Sequence, residues 1–177
     1  MENLIADTRF AIELEKRGYD FYVDSAQRTK NLFALSTLNG LAERELLHIE
    51  RITEFYKSLT GEKSLPFGWF DRVKIVPTKA ELLKPIFEKL KKHLNQNFES
   101  EKATQDAYRI AEGLERDSYT LYEKIAAESE NETAKKFYQA LAAEEREHFS
   151  ILEETLLYLN NPAEWFHRQE RWFVEGG

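Results

Sequence analysis

The chain has 177 residues, of which 42% are hydrophobic and 13% aromatic, enough for one domain with a sizeable core. Its 32 acidic and 25 basic residues give a net charge of -7, so we expect neither nucleic acid nor a membrane surface as a partner. It contains no cysteine, which excludes disulfides, thiolate nucleophiles and cysteine-ligated zinc or iron–sulfur sites.

The first sixty residues are typical of two helices. Apolar residues such as Phe10, Leu14 and Phe21 recur at helical spacing, and the same period continues from Leu32 to Leu59 after a short polar break. A helical hairpin is therefore predicted over about 4–59. The N-terminus lacks the basic and apolar regions of a signal peptide, and no eighteen apolar residues run together, so we expect a soluble, cytoplasmic protein.

Residues 60–100 are predicted to form a long crossover. Its first part is punctuated by residues that break regular structure, namely Gly61, Pro66, Gly68 and Pro77. The stretch "TKAELLKPIFEKLKKHL" then has a plausible N-cap at Thr78 and an amphipathic period, so it indicates an extra helix, kinked or delayed by Pro85.

A second hairpin is predicted over about 104–159. One helix runs from about Thr104 to Ser129 and the next from about Glu132 to Leu159, where "NNPAEW" provides a stop signal. The remaining residues, 160–177, are aromatic enough to pack against the helices or against another subunit. Almost nothing in the chain is typical of a strand.

The two hairpins are copies of one another. Shifting the chain by one hundred positions without a gap gives fifteen identities. The residues that recur one hundred positions later are Arg9, Ala11, Leu14, Glu15, Tyr19, Tyr22, Ala26, Asn31, Ala34, Leu41, Ala42, Glu45, His48, Glu54 and Leu59. Two hairpins joined by some forty residues predict an all-α, ferritin-like four-helix bundle with one long crossover, as a single domain over 1–177.

Polar residues interrupt the apolar side of these helices at equivalent places. Glu45 and His48 lie on the apolar stripe of the second helix, and Glu145 and His148 on that of the fourth. Glu15 and Glu115 lie on the other two helices among small and aromatic residues of the same face. These neighbours are Ala11, Gly18, Tyr22, Ala111, Ser118 and Tyr122. Small neighbours leave room for something other than a side chain.

Four buried carboxylates must be protonated or neutralised by cations, because burying an unpaired ion is very costly. Two divalent metals balance the count. One glutamate from each of two helices, with a Glu-x-x-His pair from each of the others, is the known arrangement of di-iron and di-manganese carboxylate bundles. Carboxylate and imidazole ligands suit iron or manganese, while zinc and copper remain open.

The motifs "ELEKRGYDFY", "LAERELLH", "GLERDSYTLY" and "LAAEEREH" resemble those of rubrerythrin-type, ferritin-like di-iron proteins. The resemblance covers all four helices. It implies two iron ions held by Glu15, Glu45, His48, Glu115, Glu145 and His148, with Glu45 and Glu145 as bridging ligands. It also implies that Tyr22 and Tyr122 hydrogen-bond the ligands, although an aromatic residue at helical spacing is as often simply part of the core.

Two features depart from that family. Rubrerythrins proper carry a cysteine-ligated rubredoxin domain, whereas this chain has no cysteine, so a separate electron donor such as a rubredoxin-like protein would be required. They also have an extra glutamate three residues after the third-helix ligand, where this chain has Ser118. Glu112, one turn earlier, could replace it, but a surface glutamate is the favoured interpretation.

Other acidic and histidine residues are interpreted as structural or solvated. Glu164 and His167 also have the Glu-x-x-His spacing, without a repeated partner, and we expect them to pack or to face solvent. His93 is interpreted as a surface histidine. By helical phase, four further glutamates point away from the apolar stripes and are predicted to be solvated: Glu13, Glu43, Glu144 and Glu147.

The resemblance implies an enzyme, a non-haem di-iron peroxidase or oxidase that reduces hydrogen peroxide or dioxygen and protects against oxidative stress. A homodimer is expected from the same resemblance. Two other classes remain open: an iron-handling protein that oxidises ferrous ions for storage, and a bundle in which metals serve only as structural staples.

Overall fold

The computed structural model describes residues 2–66, 69 and 102–175, with the backbone alone for 170–175. Within these ranges the chain forms helices and no strand. The helices are α1 (Glu2–Arg28), α2 (Leu32–Leu59), α3 (Lys102–Glu128), α4 (Glu132–Asn160) and α5 (Pro162–Glu175). Among them, none combines the length and apolar character that a membrane span requires.

Each hairpin turns at an asparagine that caps the second helix. The Asn31 side chain accepts hydrogen bonds from the backbone N–H groups of Phe33 and Ala34, and the Asn131 side chain accepts one from Ala134. These bonds satisfy N–H groups that have no partner inside the first turn of a helix. The same capping device therefore ends both three-residue turns, and the sequence repeat is also a structural repeat.

The two hairpins pack into one bundle. Helix α1 packs against α2 and α3, and α4 packs against α3 and α2. This arrangement confirms the predicted all-α, ferritin-like four-helix bundle, in which residues 60–101 connect the two halves. The extra helix predicted from Thr78 and the histidine at 93 lie outside the described residues. The interpretation as a single domain stays a prediction.

Two apolar clusters fill the bundle, one toward each end. The first joins the end of α1 and the start of α2 with the start of α3 and the end of α4, and it includes Tyr22, Phe33, Tyr108 and Tyr158. The second joins the opposite ends of the same helices, and it includes Ile52, Phe55, Tyr122 and Phe137. Both clusters exclude water from the middle of the bundle, where the repeated glutamates and histidines lie.

The C-terminal tail is a helix, although its sequence had suggested only an aromatic segment. The stop signal is correct, because α4 ends at Asn160. However, Pro162 occupies the first position of a new helix, where its missing N–H costs nothing. Asn161 caps this helix by accepting from the Glu164 N–H at 3.2 Å, and its side-chain amide donates to the Glu164 carboxylate at 3.0 Å.

The aromatic residue that anchors α5 is Trp165. It is fully buried, with its ring centroid 5.1 Å from that of Phe33 and 5.3 Å from that of Tyr158. The start of the tail therefore packs against the bundle of its own chain.

Candidate metal centre

Six polar residues predicted as ligands lie together in the middle of the bundle, and every one of them is buried. Helix α1 supplies one, α2 two, α3 one and α4 two: Glu15, Glu45, His48, Glu115, Glu145 and His148. Four of these, the two Glu-x-x-His pairs, each offer a ligand atom within 4.8 Å of the others. The apolar stripes of α2 and α4 bring these pairs face to face.

Each of the two central glutamates faces both histidines. Glu145 places Oε1 at 2.8 Å from His48 Nδ1 and Oε2 at 3.0 Å from His148 Nδ1. Glu45 places Oε2 at 3.9 Å from His48 Nδ1 and Oε1 at 3.5 Å from His148 Nδ1. The imidazole rings stack with their centroids 5.3 Å apart. Each of these two carboxylates thus directs one oxygen toward His48 and the other toward His148.

The outer glutamates complete two similar halves. Glu15 Oε2 lies 3.1 Å from His48 Nδ1, and Glu115 Oε2 lies 3.5 Å from His148 Nδ1. One half of the site therefore contains Glu15 with His48, and the other contains Glu115 with His148. Glu45 and Glu145 lie between the halves.

The two tyrosines cross the bundle. Tyr22 on α1 donates its hydroxyl proton to Glu115 on α3, and Tyr122 on α3 donates to Glu15 on α1. Each tyrosine bonds the glutamate of the opposite helix rather than the one seven residues earlier on its own. Both phenols are fully buried, so these hydrogen bonds are shielded from water.

Burial favours the protonated form of two of the carboxyl groups. Desolvation, together with the Glu15 and Glu145 carboxylates, raises the pKa of Glu45 well above its usual value. Desolvation and the Glu145 carboxylate raise the pKa of Glu115 to about 8, although His148 opposes the shift. Without cations, the site therefore retains protons that a metal would have to displace.

The histidines and Glu145 show the opposite balance. Burial lowers the pKa of His48 and of His148. The surrounding carboxylates, Glu145 first among them, raise these pKa values by a larger amount, so both lie well above the usual value. Burial raises the pKa of Glu145, but the two histidines lower it more, and the result lies well below the usual value. Negative charge at the centre is thus offset by imidazolium ions when metal is absent.

The donor atoms fit a metal better than they fit one another. Both carboxylate oxygens of Glu145 and both ring nitrogens of His148 are buried without a well-aligned hydrogen-bond partner among the described residues. Buried polar atoms are rarely left so, because the cost is about 1–3 kcal/mol each. Oxygen and imidazole donors from α2 and α4 form a group that could hold a metal ion, of the type that divalent iron, manganese or zinc accepts. The outer glutamates of α1 and α3 lie beside its histidines.

One glutamate contradicts its predicted place. Glu144 was assigned to a solvated face by helical phase, but it is only 9% exposed. It accepts a hydrogen bond from His48 Nε2 at 2.7 Å, and it forms an ion pair with Arg51 at 3.1 Å. Because α2 packs against α4, the edge of the α4 stripe is covered by α2, which the phase of a single helix does not reveal. Glu13, Glu43 and Glu147 are exposed, as expected.

The remaining candidates lie outside the cluster. Glu164 and His167 are exposed, and Glu164 is paired with Arg168. Glu112 is half-buried on α3 near Glu153, and its pKa is raised by desolvation. It is absent from the group of converging ligand atoms.

A small cavity opens beside the centre, between α1 and α3. Its volume is about 10 Å³, and Glu45 and Glu115 form part of its wall. The rest of the wall includes the repeat-related pairs Leu14 with Leu114 and Gly18 with Ser118. A Cβ atom built on Gly18 would lie 3.5 Å from the Glu45 carboxyl carbon, so the glycine leaves room at this point.

One family model covers most of the chain. The family model described as Rubrerythrin matches residues 8–156. This range contains all six residues of the cluster and both tyrosines. No curated protein and no solved structure gives a significant match.

Proposed function

The chain belongs to the rubrerythrin family, and from this premise we propose that it is an oxidoreductase that reduces hydrogen peroxide, or dioxygen, with electrons from a separate donor. The family and the buried group of glutamates and histidines support a di-iron protein. The reaction, the donor and the identity of the metal as iron are part of the proposal.

In this proposal the six clustered residues are the ligands of two iron ions. Glu15 and His48 would hold one ion, Glu115 and His148 would hold the other, and Glu45 and Glu145 would serve both. The observation that carries this assignment is that each bridging glutamate directs one oxygen toward each histidine. Two divalent cations also balance the four buried carboxylates.

When bound, a ferrous pair supplies the two electrons by which one hydrogen peroxide and two protons become two waters. A small oxidant suits the space beside the centre. The cavity beside Glu45 and Glu115 has room for about one water-sized molecule, which favours a small oxidant over an organic substrate. The leucines at 14 and 114 make its wall partly apolar.

The two tyrosines remain protonated and orient the outer glutamates. Burial raises the pKa of Tyr22 and Tyr122 well above the usual value, and the nearby carboxylates raise it further, so both phenols keep their protons. Each proton stays on the hydroxyl oxygen and is shared with the carboxylate of Glu115 or Glu15. Because each bond joins α1 to α3, the tyrosines orient the outer ligands and tie the two halves together.

We also propose a rubredoxin-like electron donor, a role in protection against oxidative stress, and a homodimer, all on the strength of the family resemblance. A complex of two chains is expected in light scattering coupled to size-exclusion chromatography. A mass equal to one chain would contradict the dimer without touching the proposed reaction.

The reaction is tested by loading the metal-free protein with two equivalents of ferrous iron without oxygen and mixing it with hydrogen peroxide. We expect rapid oxidation, seen as a rise in ultraviolet absorption, with two irons oxidised per peroxide. Glu145→Ala removes both oxygens shared between the histidines and should abolish it. Glu164→Ala is the control, because this residue belongs to the exposed Glu-x-x-His pair and should react like the parent.

Different results would favour the other classes. More than two irons per chain, held in an assembled shell, would indicate iron storage. Metal binding that raises thermal stability without any oxidation by peroxide would indicate a structural centre. Equal oxidation rates in Glu145→Ala and the parent would contradict the assignment of the site.

A further inference from the structure

The outer ring nitrogen of His48 has a partner that the metal centre itself does not require. His48 Nε2 donates to Glu144 at 2.7 Å, while Nδ1 faces the carboxylate cluster. Arg51, one turn after His48 on α2, holds the same carboxylate at 3.1 Å. The side chains of Glu144 and Arg51 are 10% and 12% exposed, so this connection between α4 and α2 is nearly shielded from solvent.

Among the residues that the structure describes, the second half of the site lacks this connection. One hundred residues separate His48 from His148, but Glu144 corresponds to Arg44 and Arg51 corresponds to Ile151. Arg44 and Ile151 are both buried. The Nε2 atom of His148 is buried without a hydrogen-bond partner among the described residues. The repeat is therefore preserved at the inner nitrogens and broken at the outer ones.

This difference affects how well each imidazole can bind a metal. A neutral imidazole carries one proton, and an ionised carboxylate can only accept it. Glu144 therefore keeps the proton on Nε2 of His48, which leaves the lone pair on Nδ1 directed toward the cluster and makes that nitrogen a stronger donor. It also fixes the ring orientation. Within the part of the chain that the structure describes, no residue gives His148 either advantage.

We propose that Glu144 is a positioning residue that makes the two metal positions unequal, so that the half containing His48 binds its metal first and more tightly than the half containing His148. The inference rests on the proposed metal centre, but not on the reaction with peroxide. Loss of one such carboxylate partner weakens metal binding by about 10–100-fold in other sites, and a difference of that order is expected here.

The test is a titration of the metal-free protein with cobalt(II), followed by calorimetry and by the visible absorption of cobalt. The parent should bind two ions per chain in two resolved steps. In Glu144→Gln, which keeps the size of the side chain, the first step should weaken by about 10–100-fold and approach the second. Glu43→Gln is the matched control, because it makes the same change of charge at an exposed glutamate of α2 and should weaken neither step.

A second measurement compares the two ligand histidines within the parent protein. In zinc-loaded parent protein labelled with ¹⁵N-histidine, the Nε2–H proton of His48 should resonate downfield, as expected for a bond to a carboxylate, and that of His148 should not. In Glu144→Gln only the first signal should shift. This readout reports the hydrogen bond itself rather than the stability of the bundle.

The outcomes separate the inference from the proposed function. Two cobalt ions of equal affinity in the parent, two equivalent Nε2–H signals, or equal weakening of both steps by Glu144→Gln would overturn the role of Glu144 and leave the metal centre intact. A parent that binds no cobalt would contradict the metal centre itself.

Discussion

The hydroxyl of Tyr22 on α1 donates a hydrogen bond to Glu115 on α3, 93 residues later in the chain. The reciprocal bond runs from Tyr122 to Glu15. These are the two outer glutamates of the cluster, and both bonds join the first hairpin to the second. The same interactions that orient the candidate ligands therefore also hold the halves of the bundle together.

Replacement of either tyrosine by phenylalanine should destabilise the metal-free protein. At pH 9, above the pKa of about 8 of Glu115, the Tyr22 bond has a buried carboxylate as acceptor, so we expect the free energy of unfolding there to fall by about 1.5–3 kcal/mol for Tyr22→Phe and by a similar amount for Tyr122→Phe. Tyr138→Phe provides a comparison, because its hydroxyl donates to the neutral Thr8 hydroxyl at 2.8 Å and its loss should cost only about 1 kcal/mol. Urea denaturation measures all three. A larger loss for Tyr138→Phe would contradict the argument.

The sequence was sufficient to predict the bundle and its repeat, because two independent periodicities agreed. The 3.6-residue period indicated which side of each helix is buried, and the offset of one hundred residues paired Glu45 with Glu145 and His48 with His148. Carboxylates repeated on apolar stripes then suggested that the four helices direct them to a common centre. In the structure the two Glu-x-x-His pairs each offer a ligand atom within 4.8 Å of the others, and their role as metal ligands stays a prediction.

Residues at the edges of the stripes were harder to predict. Glu144 was placed on a solvated face, yet it is buried against His48 and Arg51 of α2. The phase of one helix gives the direction of a side chain but not the width of the neighbour that covers it. For the same reason the partners of Tyr22 and Tyr122, which lie on the opposite helix, required the packing of α1 against α3.

The pKa shifts predict that the metal-free protein becomes less stable as the pH rises from about 5 to 8. The pKa of Glu115 is raised from its usual 4.5 to about 8. Its stabilising contribution is therefore complete below pH 4.5, the pKa in the unfolded chain, and is lost as the pH approaches 8. The pKa values of Glu45 and of both histidines are raised too, so their contributions to stability are also lost as the pH rises. The pKa of Glu145 is lowered, so its contribution to stability is constant above about pH 4.5 and is lost only in acid.

This pH dependence is measured by urea denaturation in the presence of a chelator at pH 5.5, 6.5, 7.5 and 8.5. Each proton released contributes a slope of about 1.4 kcal/mol per pH unit. Glu115→Gln removes one of these protons and should flatten the curve. Metal affinity should show the opposite trend and rise with pH, because a bound cation displaces the protons. A metal-free protein that gains stability up to pH 8 would contradict the charge balance described above.

Removal of bound metal should lower the melting temperature substantially. Each site filled at one hundred times its dissociation constant contributes about 2.7 kcal/mol, so two sites contribute about 5 kcal/mol. For a chain of this length that corresponds to about 10–20 °C, which calorimetry with and without chelator can measure. Glu145→Ala should lose most of the difference between the two conditions. Glu164→Ala should retain it, since that residue is exposed and remote from the cluster.

Filling the cavity beside Glu45 should slow the reaction with peroxide without preventing metal binding. In Gly18→Ala the added methyl group would lie 3.5 Å from the Glu45 carboxyl carbon, an ordinary contact, so the variant should fold but lose space for the oxidant. Gly113→Ala is matched, because both glycines are helical and a methyl group there meets nothing within 4 Å. Both changes should stabilise the protein by up to about 1 kcal/mol. Only Gly18→Ala should slow oxidation, which stopped-flow mixing with peroxide measures. We expect a decrease of about tenfold, which corresponds to an increase of about 1.4 kcal/mol in the activation barrier. Equal rates in the two variants would show that the oxidant does not use this cavity.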